Sequence, residues 1–387
     1  MIVSKFSAIK HLTKEDIVKN GSIFTPTCLT DIVKKKCRPY ITPNTTILDL
    51  GSGYGAFISA FKSFGTKIIG TDYDKTSVQL LKQEFPHIPF YHENSLLNVN
   101  REKYNIGADD DLLIVGNPPY NDTTSAYRKG QKGELVCDKD LVSRDFGISF
   151  LKAYNKLRAH YVCVLHPLSY LIKQQNFRSL GPFRENYCLI DATIFSSKEF
   201  ETIQVTNSDF PVVAALYERC DKGMDYEHIR QFKFSIFRSR KKFCLNQVET
   251  IDGIIPKYPK KGSTNKVQFY TLRDINSLKR NASFVNGPIA NGVDVTIENL
   301  YQYAWLLFFK ENFNPQTNEF LYGNLSPLYS KDIEKQEIKN LLVAYAYFSN
   351  SIIQDRFELS NLKDMYGEIV NTSDNSRLFN ILKKLYI

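Results

Sequence analysis

The chain contains 387 residues, with 50 Lys and Arg against 41 Asp and Glu and a formal net charge of +9. Hydrophobic residues make up 43% and charged residues 24%, an ordinary globular composition that excludes wholesale disorder. No window approaches about 18 uninterrupted apolar residues, so no standard transmembrane helix is expected. The N-terminal segment is interrupted by charge too often for a secretory signal, which predicts a cytoplasmic protein.

Seven cysteines are scattered along the chain without a CxxC pair and without a Cys/His cluster at zinc spacing. Such a set is typical of a reducing compartment and predicts no structural metal.

The excess positive charge is concentrated in one segment. Residues 229–280 hold 13 basic and 3 acidic residues, a net charge of +10, so the rest of the chain sums to −1. A local basic excess of this size is what contacts with phosphate groups require, although charge alone favours a solvated lysine-rich face.

In chain order, the first 220 residues alternate short apolar runs with helical patterns, which predicts an α/β domain on a parallel sheet. Strands are predicted at 45–50, 67–72, 88–91, 111–117, 160–165, 188–194 and 211–217, and helices at 56–64, 75–85, 146–158 and 170–179. The polar stretch 121–145 predicts a long, mobile loop, and loops of that length are usually functional.

After Cys220 the pattern changes. Residues 221–299 are basic, aromatic and rich in short strand-like pieces, and residues 300–387 are more helical. We therefore predict two domains, 1–220 and 221–387.

A glycine-rich turn follows the first predicted strand. The sequence DLGSGYG places Asp49 at the strand end and Gly51 and Gly53 in the turn, where backbone can approach a ligand closely. Asp72 closes the next strand, at a spacing that suits an acid hydrogen-bonded to ribose hydroxyls. Asp49 would repel a pyrophosphate but suits a ligand with an ammonium or sulfonium group, which indicates S-adenosylmethionine. Another kind of nucleotide-binding domain, or a purely structural turn, remains an alternative.

The sequence LLIVGNPPY carries the strongest signal. A buried strand delivers Asn117 to the carboxyl edge of the sheet, where open α/β folds bind ligands. Pro118 and Pro119 fix the backbone direction. The Asn117 side-chain oxygen and the Pro118 carbonyl could both accept hydrogen bonds from one exocyclic amine, and Tyr120 offers a ring for stacking on the same planar group.

These motifs resemble the N6-adenine DNA methyltransferases, in the subgroup (gamma-type) whose motif order is cofactor motif, catalytic motif and target-recognition domain. DLGSGYG is similar to the cofactor motif, NPPY to the catalytic motif, and the resemblance covers about residues 20–220. It implies a Rossmann-like S-adenosylmethionine-dependent methyltransferase domain followed by an α+β target-recognition domain, as in type II restriction–modification methyltransferases.

The resemblance also implies individual roles. Thr25 and Pro26 would close over the methionine part of the cofactor, and Asn94 would bond its adenine amine, with Glu93 close enough to do so instead. An aromatic residue would stack on the target base; Phe200 is the first choice and Phe195, expected in the core, the alternative.

The basic segment would contact double-stranded DNA. Basic residues alternate with aromatic ones there, and the residues expected to contact phosphates are Arg238, Arg240, Lys241 and Lys242. A cognate restriction endonuclease would act as a separate protein.

Three other functions are compatible with parts of the sequence. NPPY also occurs in enzymes that methylate a protein glutamine, and an RNA could be the acceptor. The chain could be a catalytically inactive nucleic-acid-binding module. A fused restriction enzyme is disfavoured, because no PD…(D/E)xK pattern is evident.

Overall fold

A computed structural model describes residues 25–120, 137–200, 210–250, 266–270, 283–289, 292–312, 328–371 and 375–385. The chain forms two compact units, the first comprising residues 1–207 and 211–240 and the second residues 208–210 and 241–387. Within the described ranges, no helix has both the length and the apolar character needed to cross a membrane.

The first unit is an α/β domain. Its strands are β1 (Thr46–Leu50), β2 (Lys67–Asp72), β3 (Phe90–His92), β4 (Leu112–Gly116), β5 (Tyr161–Pro167), β6 (Tyr187–Ser196), β7 (Pro211–Arg219) and β8 (Lys233–Ile236). Its helices are α1 (Thr27–Cys37), α2 (Ala56–Phe61), α3 (Lys75–Glu84), α4 (Phe146–Lys156), α5 (Ser169–Ile172), α6 (Gln174–Ser179), α7 (Pro182–Asn186) and α8 (Tyr226–Gln231).

These strands form one mixed sheet in the order β3-β2-β1-β4-β5-β7-β6-β8. Strands β1 to β5 run parallel, and β1 lies between β2 and β4, with Asp49 paired to Gly70 on one side and Val115 on the other. Strands β1 and β4 are buried along their whole length, as expected for a sheet covered on both faces. The strand order reverses direction at β1, where doubly wound sheets open a ligand crevice.

The predicted parallel sheet contains one antiparallel strand. β7 runs antiparallel to both of its neighbours, β5 and β6. The apolar run along β7 indicates burial on both faces, and burial of this kind is independent of strand direction. The sequence pattern therefore identified β7 as a strand but could not show which way it runs.

Helix α1 anchors the segment that leads into the site. Leu29, Val33 and Cys37 recur at helical spacing and are completely buried. Pro26 caps the helix with an extended backbone, and its carbonyl accepts from the amides of Leu29 and Thr30. The start of α1 is thereby held by a buried apolar face, because a helix with such a face is stabilised mainly by packing.

The second unit contains short strands and helices. The strands are β9 (Lys242–Cys244), β10 (Val248–Thr250), β11 (Val267–Tyr270), β12 (Phe284–Asn286), β13 (Gly292–Asp294) and β14 (Leu328–Ser330). The helices are α9 (Leu300–Asn312), α10 (Gln336–Ser349), α11 (Ser351–Arg356), α12 (Leu359–Tyr366) and α13 (Asn375–Leu385). Its core gathers apolar side chains of α9 and α10, including Trp305, which is 3% exposed. This unit is α+β, with β11 pairing antiparallel to β12 and β13.

The boundary between the units lies later than residue 220. The chain continues through α8 into β8, whose Ser235 and Ile236 pair with Thr193 and Ile194 of β6. Because of these pairings, the chain up to Arg240 belongs to the first unit. A change of composition along the sequence does not show how strands pair.

The cysteines differ from expectation at one pair. Cys188 and Cys220 form a disulfide, with their Cα atoms 6.2 Å apart. They lie 32 positions apart in the sequence, and only the antiparallel pairing of β6 with β7 brings them together.

Candidate active site

The Asp49 carboxylate lies at the carboxyl end of β1. The residue is fully buried, and within the described part of the chain neither carboxylate oxygen has a hydrogen-bond partner. Burial, together with the negative charge of Asp72, raises the pKa of Asp49 well above its usual value. A buried carboxylate without a protein partner is costly, so this site is suited to a ligand that supplies a cation or a hydrogen-bond donor.

The glycine-rich turn leaves room in front of this carboxylate. Gly51 and Gly53 have positive φ angles of 114° and 52°, and a Cβ added at either would meet nothing within 4 Å. The amides of Gly51 and Ser52 donate to the Thr71 carbonyl at 2.9 and 2.8 Å, which fixes the turn against β2. The two predicted glycines therefore border open space, as a cofactor-binding turn requires.

Asp72 ends β2 beside this turn. Its carboxylate accepts from the Gly53 amide at 2.7 Å and from the Asp74 amide at 2.8 Å, while burial raises its pKa. Each carboxylate oxygen can accept more than one hydrogen bond, so Asp72 can hold the turn and still receive a ribose hydroxyl.

Asn94 has a local structural role. Its side-chain oxygen accepts from the Leu96 amide at 3.0 Å, and its carbonyl accepts from the Lys103 ammonium at 2.9 Å. The same ammonium lies 3.4 Å from the Glu93 carboxylate. These contacts fix the loop after β3, and they leave the choice between Asn94 and Glu93 as the partner of a cofactor amine a prediction.

The NPPY segment follows β4, the strand beside β1. The Asn117 side-chain nitrogen donates to the Thr25 hydroxyl at 3.1 Å, and the Tyr120 hydroxyl donates to the Asn117 side-chain oxygen. Pro118 is buried and Pro119 half-buried. Two predicted site residues that lie 92 positions apart, Thr25 and Asn117, are thus in direct contact.

The cofactor motif and the NPPY motif are neighbours in space. Asp49 and Val115 are register partners, and a Cβ added to Gly116 would lie 3.0 Å from the Asp49 carboxylate. Asn117 is the next residue along the chain. The buried carboxyl group of Asp49 and the residue Asn117 therefore lie at the same edge of the sheet, on neighbouring strands.

Phe200 is buried, with 2% of its surface exposed, and packs edge-on against Phe195 at 5.8 Å between ring centroids. Phe195 is 1% exposed, which confirms its expected core position. Base stacking by Phe200 would require a rearrangement that exposes its ring.

The basic side chains assigned to phosphate contacts are exposed. Arg238 pairs with Glu199 at 3.3 Å yet remains 66% exposed, and the other three also face solvent: Arg240, Lys241 and Lys242. Within the basic segment, residues 257–265 lie outside the described residues, as do residues 121–136 of the predicted loop.

Two aromatic residues of this region were missed in the sequence. Tyr73 directly follows Asp72 and is 77% exposed, which makes its ring available to stack on a planar ligand group. Its position directly after an acidic residue that ends a strand could have identified Tyr73 from the sequence. Tyr154 of α4 is fully buried, its hydroxyl has no partner among the described residues, and burial with the nearby Asp49 carboxylate raises its pKa. Helical periodicity predicts its burial but not its neighbours.

No family model and no curated protein matches the chain. Solved structures of low identity are similar to part of the chain. A candidate RNA methyltransferase from Pyrococcus horikoshii shares 14% identity, with a TM-score of 0.37 over 54% of this chain and 90% of that one. The modification subunit of a candidate type I restriction enzyme from Vibrio vulnificus shares 15%, with a TM-score of 0.40 over 63% and 57%.

A candidate class I S-adenosylmethionine-dependent methyltransferase from Listeria monocytogenes shares 13% identity, with a TM-score of 0.39 over 57% of this chain and 74% of that one. At such identities and TM-scores the similarities say nothing about the acceptor. The strand order and the sheet-edge site define the first unit as a Rossmann-like α/β domain of the doubly wound kind.

Proposed function

We propose that the chain is an S-adenosylmethionine-dependent methyltransferase that modifies N6 of an adenine flipped out of duplex DNA. The observation that carries this proposal is the adjacency of Asp49 and the Asn-Pro-Pro-Tyr segment at the carboxyl edge of β1 and β4. A buried carboxylate suits the amino group of the cofactor, and an asparagine next to it suits an amine acceptor.

The residues present fit the proposed cofactor. Asp49 would hold its ammonium group, Gly51 and Gly53 would border it, and Asp72 would bind its ribose. The bound cofactor supplies a methyl group on a positively charged sulfur. Tyr73 offers an exposed ring for the adenine of the cofactor.

The NPPY segment would bind the target amine. The N6 lone pair of adenine is delocalised into the ring, so the nitrogen is a poor nucleophile. Hydrogen bonds accepted by the Asn117 side chain and the Pro118 carbonyl would favour a tetrahedral nitrogen and stabilise the charge that develops on it. Catalysis would then rest on proximity and on preorganised acceptors.

Double-stranded DNA is the proposed partner because the exposed basic residues end this domain and begin the next one along the chain. Flipping one adenine out of a duplex costs a few kcal/mol, which contacts with the backbone phosphates can offset. A restriction endonuclease acting separately is the expected companion of such an activity.

Replacement of Asn117 by alanine tests the proposal. N117A removes an acceptor of the target amine but no group assigned to the cofactor, so methyl transfer to DNA should fall by at least about 100-fold. Cofactor affinity should stay within about threefold of the wild-type value. Transfer of a labelled methyl group and calorimetry with the cofactor measure the two effects.

Exposed Asn361 provides the control, because N361A makes the same chemical change in the second unit. Duplex DNA, RNA and a glutamine-containing protein should be offered together as acceptors. Methylation of RNA or protein in preference to DNA, or wild-type turnover by N117A, would refute the proposed function. Sequencing of the modified DNA would then show the methylated base and its context.

A further inference from the structure

The side-chain amide of Asn117 is held at both ends. Its nitrogen donates to the Thr25 hydroxyl at 3.1 Å, and its oxygen accepts from the Tyr120 hydroxyl. An asparagine amide presents a donor at one end and an acceptor at the other, and a half-turn about its last side-chain bond exchanges them. Both hydroxyls can donate or accept, but a phenol is the better donor and an aliphatic hydroxyl the better acceptor, so the contacts with Tyr120 and Thr25 together favour the observed orientation of this amide.

That orientation matters for an amine acceptor. Tyr120 donates to the Asn117 oxygen, and the hydrogens of an incoming amine would also be donated to that oxygen. Burial raises the pKa of Tyr120 well above its usual value, which favours the protonated hydroxyl that can donate this bond. An exchanged amide would present N–H groups to the amine, which is the wrong polarity for binding it.

Thr25 is well placed to fix the orientation, because its own position is fixed. It precedes Pro26, whose ring restricts the backbone, and α1 is anchored by Leu29 and Val33, both completely buried. Asn117 is fixed as well, between the buried strand β4 and two prolines. The hydrogen bond therefore joins two rigid elements, and this is the condition under which one bond can select a rotamer.

We propose that Thr25 is a positioning residue that orients the Asn117 amide, so that its oxygen faces the target amine. This inference rests on the proposed function and deepens it. It assigns the Thr25 hydroxyl a role in the transfer step, in addition to the contact with the cofactor that the sequence suggests.

Two substitutions separate the hydroxyl from the shape of the side chain. T25V keeps the branched shape but removes the acceptor, whereas T25S keeps the hydroxyl. T25V should lower kcat about 10- to 100-fold at saturating cofactor, since misplacement of a catalytic group costs up to about that factor. T25S should stay within about threefold of wild type. T27V is the matched control, because Thr27 is exposed and lies two positions further along the same segment.

Two readouts do not depend on turnover. Calorimetry measures cofactor affinity in T25V, and any loss of affinity should be smaller than the loss of kcat. In protein labelled with 15N-asparagine, the side-chain amide signal of Asn117, identified by its loss in N117D, should shift in T25V but not in T25S or T27V.

Unchanged kcat in T25V, equal damage from T25S, or a loss confined to cofactor affinity would overturn the positioning role. If wild-type protein transfers no methyl group to DNA, the proposed function itself fails. The asparagine signal then decides separately whether Thr25 orients Asn117.

Discussion

The surroundings of Asp49 in the free protein and the proposed cofactor favour opposite protonation states of its carboxyl group. Burial and the charge of Asp72 raise the pKa of Asp49, so the free protein holds this proton more tightly than an exposed aspartic acid does. An ammonium group beside Asp49 favours the ionised form. Below the raised pKa, cofactor binding should therefore release a proton, and affinity should increase as the pH rises and level off above that pKa.

Substitution of Asp49 by asparagine tests this conflict. A raised carboxyl pKa means that the stability Asp49 contributes is present at low pH and is lost as the pH rises through the raised value. Asparagine does not ionise, so D49N does not lose stability in this way as the pH rises. The free protein should therefore unfold at a higher temperature near neutral pH, by about 2–4 °C for each kcal/mol gained. The cofactor should bind more weakly and without its pH dependence. Thermal unfolding and calorimetry in buffers of different ionisation enthalpy measure both effects.

Exposed Asp364 provides the control, since D364N removes one carboxylate without burial. If D49N still releases a proton on cofactor binding, another group carries the titration.

At the scale of elements, the sequence pattern predicted where the strands lie better than it predicted how distant segments pair. Strand β2 agrees with its predicted bounds, and β1 and β4 with theirs to within one residue at each end, because uninterrupted apolar runs are typical of strands buried on both faces. The direction of β7 and the pairing of Cys188 with Cys220 depend on contacts between distant segments, which no local pattern contains.

The candidate site also has a part that the sequence predicts and a part that it does not. Asp49 and Asn117 could be placed at strand ends from the sequence, and parallel strands put both at one edge. The hydrogen bond from Asn117 to Thr25 could not be predicted, because it depends on where α1 begins relative to β4.

Two glycines of one turn have different roles, which alanine substitutions should separate. Gly53 and Gly55 both have positive φ, 52° and 76°, so either change carries a backbone cost of about 1–2 kcal/mol. A Cβ at Gly55 would also lie 2.6 Å from a methyl carbon of Leu81 in α3. G55A should therefore lose about 1–3 kcal/mol more stability than G53A. G53A, whose Cβ would enter the open space, should weaken cofactor binding more.

Denaturant unfolding and calorimetry on both variants measure these effects. The comparison is internally matched, because the φ strain is common to the two positions. Equal stability losses would show that the contact with Leu81 relaxes without cost. Unchanged cofactor affinity in G53A would place the cofactor elsewhere.

At the scale of the whole molecule, the net charge of +9 describes a nearly neutral chain with one basic segment. In that segment, exposed Arg238 and Arg240 end the first unit, and exposed Lys241 and Lys242 begin the second. We expect charge reversal at four exposed positions to weaken duplex binding and to leave cofactor affinity unchanged: Arg238, Arg240, Lys241 and Lys242. The salt dependence of binding should decrease by about one unit of slope for each phosphate that is no longer neutralised. Titrations at several salt concentrations measure the slope. An equal change of charge serves as control at four other exposed positions: Lys75, Lys82, Arg178 and Lys222. If both sets reduce the slope equally, net charge rather than this segment governs binding.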